Sequence, residues 1–349
     1  MQQLFYVGSY AEKDQEGIYL YSLDLQTGAL TRKEAIAGTE NPSFLTLSKD
    51  GTRLYAVGET TDHRPGSVAS FIIGLQGEGL TPLNEQSTLG NSPCHVVLSR
   101  DEKAAIVVNY GGGNVISYPV MADGSIGPTA INLRHEGRGV RDDRQEGPHP
   151  HSAIIDPSGN YVLVADLGID KLIHYRLDGA EGMLEKVGET DTPPGTGPRH
   201  MAFYPDGRRL YVVGELDNNV HVYRYEPGQA QLTLEQTIST LPEGYDGVSW
   251  SADIHISGDG RFLYTSNRGH DSIAVFAVDE QGLLTAAGHV STGGQTPRNF
   301  GLTPDGRFLL AANQQSNSIV SFYVDTETGM LTETGHRAEI GAPVCIRFA

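Results

Sequence analysis

The sequence predicts an all-β fold, a seven-bladed β-propeller whose ring closes by pairing the C-terminal strand with the N-terminal ones. Three observations predict it: a turn-and-strand unit recurring about every fifty residues, four short strands per interval, and an incomplete set of strands at each end of the chain.

The recurring unit is a tight turn that runs into an apolar strand. It reads Asp50-Gly51-Thr52-Arg53-Leu54-Tyr55, Pro157-Ser158-Gly159-Asn160-Tyr161-Val162, Asp206-Gly207-Arg208-Arg209-Leu210-Tyr211, Asp259-Gly260-Arg261-Phe262-Leu263-Tyr264 and Asp305-Gly306-Arg307-Phe308-Leu309-Leu310. A sixth copy, Asp101-Glu102-Lys103-Ala104-Ala105-Ile106, has Glu102 where the others have glycine. Glycine supplies the positive φ that such a hairpin needs, so Glu102 predicts either a different turn or local strain.

Each interval holds an apolar strand before the turn, one after it, a third with period-two alternation and a polar, threonine-rich fourth. In the first interval these fall at residues 44–47, 54–57, 68–73 and from 79. Residues 4–35 supply only second, third and fourth strands, and residues 343–348 supply a lone first strand. Six complete blades and one shared between the ends make seven, in a single domain spanning residues 1–349. No stretch between strands carries helical periodicity, which excludes a TIM barrel or a doubly wound sheet.

A formal charge of -18, spread without an acidic tail, argues against nucleic acid and anionic membrane surfaces as partners. Cys94 and Cys345 are too few for a disulfide framework, and no zinc or EF-hand spacing occurs, so no metal or cofactor is expected. The first residues enter an alternating strand at once, with no basic segment followed by an apolar run. A cytoplasmic monomer is the expectation, since closure pairs the strand edges that invite association.

First strands of propeller blades lie next to the axis, so their opening residues line one mouth of the channel. Eight residues before the turn position stand Ser43, Cys94, His151, Arg199, Ala252 and Arg298; seven before it stand Phe44, His95, Ser152, His200, Asp253 and Asn299. The antiparallel second strand should bring the residue eight after the turn beside the one eight before: Ser43 with Glu59, Cys94 with Tyr110, His151 with Leu167, Arg199 with Glu215, Ala252 with Arg268, Arg298 with Gln314.

Arginines 199, 268 and 298 converging with His151 predict an anionic ligand, because guanidinium groups grip carboxylate or phosphate through paired N–H donors. Glu215 should orient Arg199. Two long loops feed the same mouth: residues 130–150, with Arg134, His135, Arg138, Arg141 and Arg144 and ending at His149-Pro150-His151, and residues 240–252, with Tyr245 and Trp250. Either is a binding surface or a solvated rim. His149, His200, Asp253, His255 and Glu59 complete the candidate substrate-binding set.

The segments Pro148-His149-Pro150-His151, Gly197-Pro198-Arg199-His200, Val213-Gly214-Glu215, Ser251-Ala252-Asp253-Ile254-His255, Ser266-Asn267-Arg268 and Thr296-Pro297-Arg298-Asn299-Phe300 resemble the cytoplasmic seven-bladed propeller lactonases. That family comprises the bacterial 6-phosphogluconolactonases of the propeller type and is similar to the fungal carboxy-cis,cis-muconate cyclases. The likeness covers essentially the whole chain. It implies catalytic roles for His151, Glu215 and Arg199, with Arg268, in preference to Arg298, as second arginine.

Hydrolysis of a phosphorylated sugar δ-lactone suits these residues: His151 as general base, Glu215 kept ionised by Arg199, and arginines for phosphate and oxyanion. The alternatives are a lactonising cyclase acting on a carboxylate substrate, and a non-enzymatic anion-binding propeller.

Overall fold

The computed structural model describes residues 1–74, 79–179 and 181–349. Among them are 28 strands in seven four-stranded antiparallel sheets. The inner strands are Leu45–Leu47, Pro93–Leu98, Pro150–Ile155, Pro198–Phe203, Trp250–Ile256 and Pro297–Leu302 in the first to sixth blades. The seventh blade joins Pro343–Phe348 to Gln2–Ser9, then Ile18–Asp24 and Leu30–Ile36. Each inner strand packs against the next around the axis, the last returning to the first, so the ring is closed as expected.

Blade faces pack through the second and third strands, whose Val, Ile, Leu and Ala side chains are almost wholly buried. Polar ties fix the blades to one another. Tyrosines early in second strands, Tyr55, Tyr161, Tyr211 and Tyr264, donate to the carbonyls of Gly124, Gly228, Gly282 and Gly329 in the following blade at 2.9–3.0 Å. Burial pushes the Tyr55 phenol up to about 12, so it remains a donor at neutral pH.

Glu102 adopts φ 58°, matching Gly51 at 66° and Gly207 at 72°. The turn is thus the same one in all six blades, and the glutamate accepts the left-handed backbone that glycine takes without steric cost. Its carboxylate receives the Lys49 amide from the neighbouring blade at 2.5 Å.

The expected cross-strand pairs need a correction. In the fourth blade Pro198 faces Gly214 and His200 faces Val213, so Arg199 is an extra residue in a β-bulge. The same bulge sets apart Cys94, His151 and Arg298, and in the fifth blade Arg268 lies opposite Trp250 rather than Ala252. A bulge re-aims the extra side chain out of the regular alternation. Here it recurs at the residue eight before the turn and separates that residue from the one that follows.

Candidate active site

Three cavities line the axis. One of about 440 Å³ opens where the inner strands begin and is lined by Glu59, Ser92, Cys94, Tyr110, Arg144, His151, Glu215, Trp250, Arg268 and Arg298. Beneath it a void of about 10 Å³ touches His151, Arg199, His200 and Arg298. Farther along the axis a third, of about 320 Å³, is lined by Phe44, His95, Ser152, His200, Asp253, His255 and Arg347 among others.

The bulges sort the residues between them. Side chains eight before the turn, Cys94, His151 and Arg298, face the first cavity, whereas Phe44, His95, Ser152, His200 and Asp253, seven before it, face the third. The candidate set is therefore divided along the axis. His200, Asp253 and His255 form one chain away from the first cavity: His200 Nδ1 bonds Asp253 Oδ1 at 2.7 Å and His255 Nε2 bonds Asp253 Oδ2 at 2.9 Å. His149 lines none of the three; its ring stacks on Tyr110 and bonds the Tyr110 carbonyl at 2.9 Å and Glu146 at 3.0 Å.

Glu215 is the hub of the first cavity. It is 3% exposed and holds three guanidinium groups: Arg144 Nη2 at 2.6 Å, Arg268 Nη2 at 2.8 Å and Arg199 Nε at 2.9 Å. Burial alone would raise its pKa, but Arg268, Arg199 and Arg144 outweigh it and hold the carboxyl well below the usual range. Arg199 is itself buried beneath the cavity, donating to the Ala252 carbonyl. Burial, Arg268 and Arg298 bring its pKa down to about 9, so it stays cationic at neutral pH.

Arg298 stands apart. Among the described residues no hydrogen bond or ion pair engages its guanidinium, which lies over the Tyr10 ring at 5.7 Å. Tyr10 in turn donates to Glu59 at 3.2 Å. Of the four arginines, Arg298 alone has all its N–H donors open to a ligand.

His151 is 4% exposed, with its ring edge against Tyr110 and His200. Among the described residues its buried Nδ1 has no hydrogen-bond partner, which leaves Nε2 as the nitrogen that can serve the cavity. Burial first, then Arg199, His200, Arg298 and Arg268, press its pKa well below the ordinary histidine value. The imidazole is neutral at physiological pH, and protonation is opposed by a cationic surround.

The loop before the third blade is no loose rim. His135 is clamped between Asp166 at 2.6 Å and Tyr175 at 2.7 Å, and the same Asp166 receives the His149 amide at 2.7 Å. Arg144, treated in the sequence only as one cation of this loop, is brought onto Glu215 and Tyr110, and Trp250 from the other loop lies under its guanidinium at 5.3 Å.

A propeller whose channel mouth gathers four arginines, a glutamate and a neutral histidine has relatives. The family model Lactonase, 7-bladed beta-propeller, matches residues 4–348. The chain belongs to this lactonase family. It is 40% identical to the 6-phosphogluconolactonase of Bacillus subtilis over 98% of this chain and 97% of that protein. To the 6-phosphogluconolactonase of Formosa agariphila it is 34% identical over 86% of each. Among solved structures, the periplasmic gluconolactonase PpgL of Pseudomonas aeruginosa superposes with a TM-score of 0.94 at 35% identity, covering 100% of this chain and 99% of that one.

Both cysteines of the chain, Cys94 and Cys345, are buried and unpaired. Cys94 borders the cavity, and burial pushes its thiol up to about 12, which suppresses the reactive thiolate. Neither thiol should react with an aromatic disulfide reagent at pH 8 in the native protein, and both should react in denaturant; rapid native labelling of Cys94 would contradict this packing.

Proposed function

We propose that this protein is a 6-phosphogluconolactonase, opening 6-phospho-D-glucono-1,5-lactone to 6-phosphogluconate, and that it works as a cytoplasmic monomer. The observation that carries the reading is the neutral, buried His151 beside the unpaired guanidinium of Arg298 in one cavity. A phosphorylated lactone brings negative charge, and the cavity's three arginines, with Arg199 beneath them, against Glu215 and Glu59 leave cationic charge to receive it.

In this reading His151 Nε2 takes a proton from water as the water oxygen bonds to the lactone carbonyl carbon. The carbonyl oxygen becomes an oxyanion, which Arg298 stabilises with N–H donors that no group among the described residues engages. The ring C–O bond then breaks and the imidazolium returns its proton to the departing ring oxygen. Lactone and water become hydroxy acid, which ionises to carboxylate and one proton. Arg199 does not touch substrate; it holds Glu215, which fixes Arg268 and Arg144 along the cavity wall.

The pH dependence tests this. Because protonated His151 cannot accept a proton, activity is lost as pH falls through its pKa, and the depressed value places that limb below 6.5 in the free enzyme. Bound phosphate offsets the surrounding arginines and raises the pKa, so the limb of kcat should lie at higher pH than that of kcat/KM. Initial rates corrected for spontaneous opening should show kcat/KM flat from pH 7 to 8 and falling only well into acid. A kcat/KM rising steeply through that interval would overturn the assignment. Turnover of a carboxymuconate without turnover of the lactone would point to the cyclase reading.

A further inference from the structure

Arg144 differs from its neighbours in coming from a loop rather than a blade. Its side chain is 29% exposed, against 13% for Arg268 and 2% for Arg199, so it occupies the outer part of the cavity, with Trp250 beneath it. Only Nη2 is engaged, by Glu215 at 2.6 Å and Tyr110 at 3.3 Å; among the described residues no protein group bonds Nη1 or Nε. One edge of the guanidinium is thus fixed while the remaining donors are free.

The next residue explains why a loop arginine is so well placed. Gln145 is wholly buried, and its amide donates to the Leu167 carbonyl at 2.9 Å and to Asp170 Oδ1 at 2.7 Å. Its own Oε1 receives the Arg141 amide at 3.1 Å. Asp170 also receives the amides of Gly195 at 2.7 Å and Gly197 at 2.8 Å, in the segment that leads to Arg199. A single carboxylate therefore ties down both the loop that carries Arg144 and the approach to Arg199, and the two arginines meet on Glu215.

We propose that Arg144, seated by the Gln145–Asp170 clamp, is the residue that reads the distal phosphate of the substrate and so selects phosphorylated over unphosphorylated lactones. This rests on the lactonase reading for its substrate. With His151 and Arg298 at the floor, beside the small void, the reacting carbonyl lies deep and the far end of the sugar lies outward, where Arg144 offers its free donors. A charge-assisted contact to phosphate suits a guanidinium already oriented through one edge. Gln145 and Asp170 are positioning residues and touch no substrate.

The test compares the wild type with Arg144→Gln, Gln145→Leu and the double variant. The readouts are kcat/KM for 6-phosphogluconolactone and for unphosphorylated glucono-1,5-lactone, and calorimetric affinities for 6-phosphogluconate and gluconate. The expected result is that R144Q cuts the preference for phosphorylated over unphosphorylated ligand by about 10- to 100-fold, beyond any loss common to both. Q145L should cut it in the same direction, and the double variant should match R144Q, because the two residues act in series. An R144Q that lowers both ligands equally, or neither, overturns the proposal. So does additivity in the double variant. Should Q145L fail to fold by circular dichroism, R144Q alone decides. If the wild type opens neither lactone, the catalytic reading falls, while a selective loss of 6-phosphogluconate binding in R144Q would still sustain the phosphate site.

Discussion

Glu215→Gln is expected to destabilise the protein by about 3–5 kcal/mol and to abolish most turnover. The carboxylate is buried among the guanidinium groups of Arg144, Arg199 and Arg268, and two of those are themselves almost out of solvent. An amide has nearly the same shape but no charge, so three cations would face one another with nothing to balance them. The depressed pKa of Glu215 has a further signature. Its contribution to stability is fully present above the unfolded carboxyl pKa of about 4.3 and is lost as pH falls toward the folded value. Urea midpoints measured from pH 3 to 7 should therefore fall on the acid side in the wild type and change less in the variant. Replacing Arg144 by glutamine as well should restore part of the midpoint, since one unbalanced cation is then gone. A variant as stable as the wild type would mean that the triad of arginines is held by other contacts.

Much of this was legible in the sequence because the propeller is a counted structure. The turn glycines set a register, and positions eight and seven before them gave the layers that face the first and third cavities. Glu102 did not break the register, since its backbone takes the glycine conformation. The bulge was not legible: it shifts the ladder by one residue at Arg199 and His151, and no residue type marks it except the proline that precedes them. That shift is why His95 and Ser152, adjacent in sequence to the cavity residues Cys94 and His151, face another cavity. Arg144 was missed as a site residue for a different reason. Loop residues have no register, and its placement depends on Gln145 reaching Leu167 and Asp170, contacts 22 and 25 residues away. A fully buried glutamine beside an arginine in a charged loop leaves no periodic signal.

In the proposed reaction His151 moves the proton. A positioned base contributes about 10²- to 10⁴-fold, so His151→Gln should lower kcat by that factor. Glutamine fills similar space and restores no base. Arg144, Arg268 and Arg298 remain in the cavity wall, and their ground-state contacts with the anionic ligand do not depend on whether a proton can be taken, so affinity for 6-phosphogluconate should stay within about threefold of the wild type. The stability cost should be small beside that of E215Q, because among the described residues Nδ1 makes no bond to lose. The most direct measurement is the initial rate of 6-phosphogluconolactone opening at pH 7 by wild type and H151Q, with spontaneous opening subtracted and 6-phosphogluconate affinity measured on the same samples. The expected result is a wild type far above background and an H151Q that binds the product normally but turns over at least about 100-fold more slowly, the lower bound for a lost base. An H151Q that opens the lactone at the wild-type rate would contradict it.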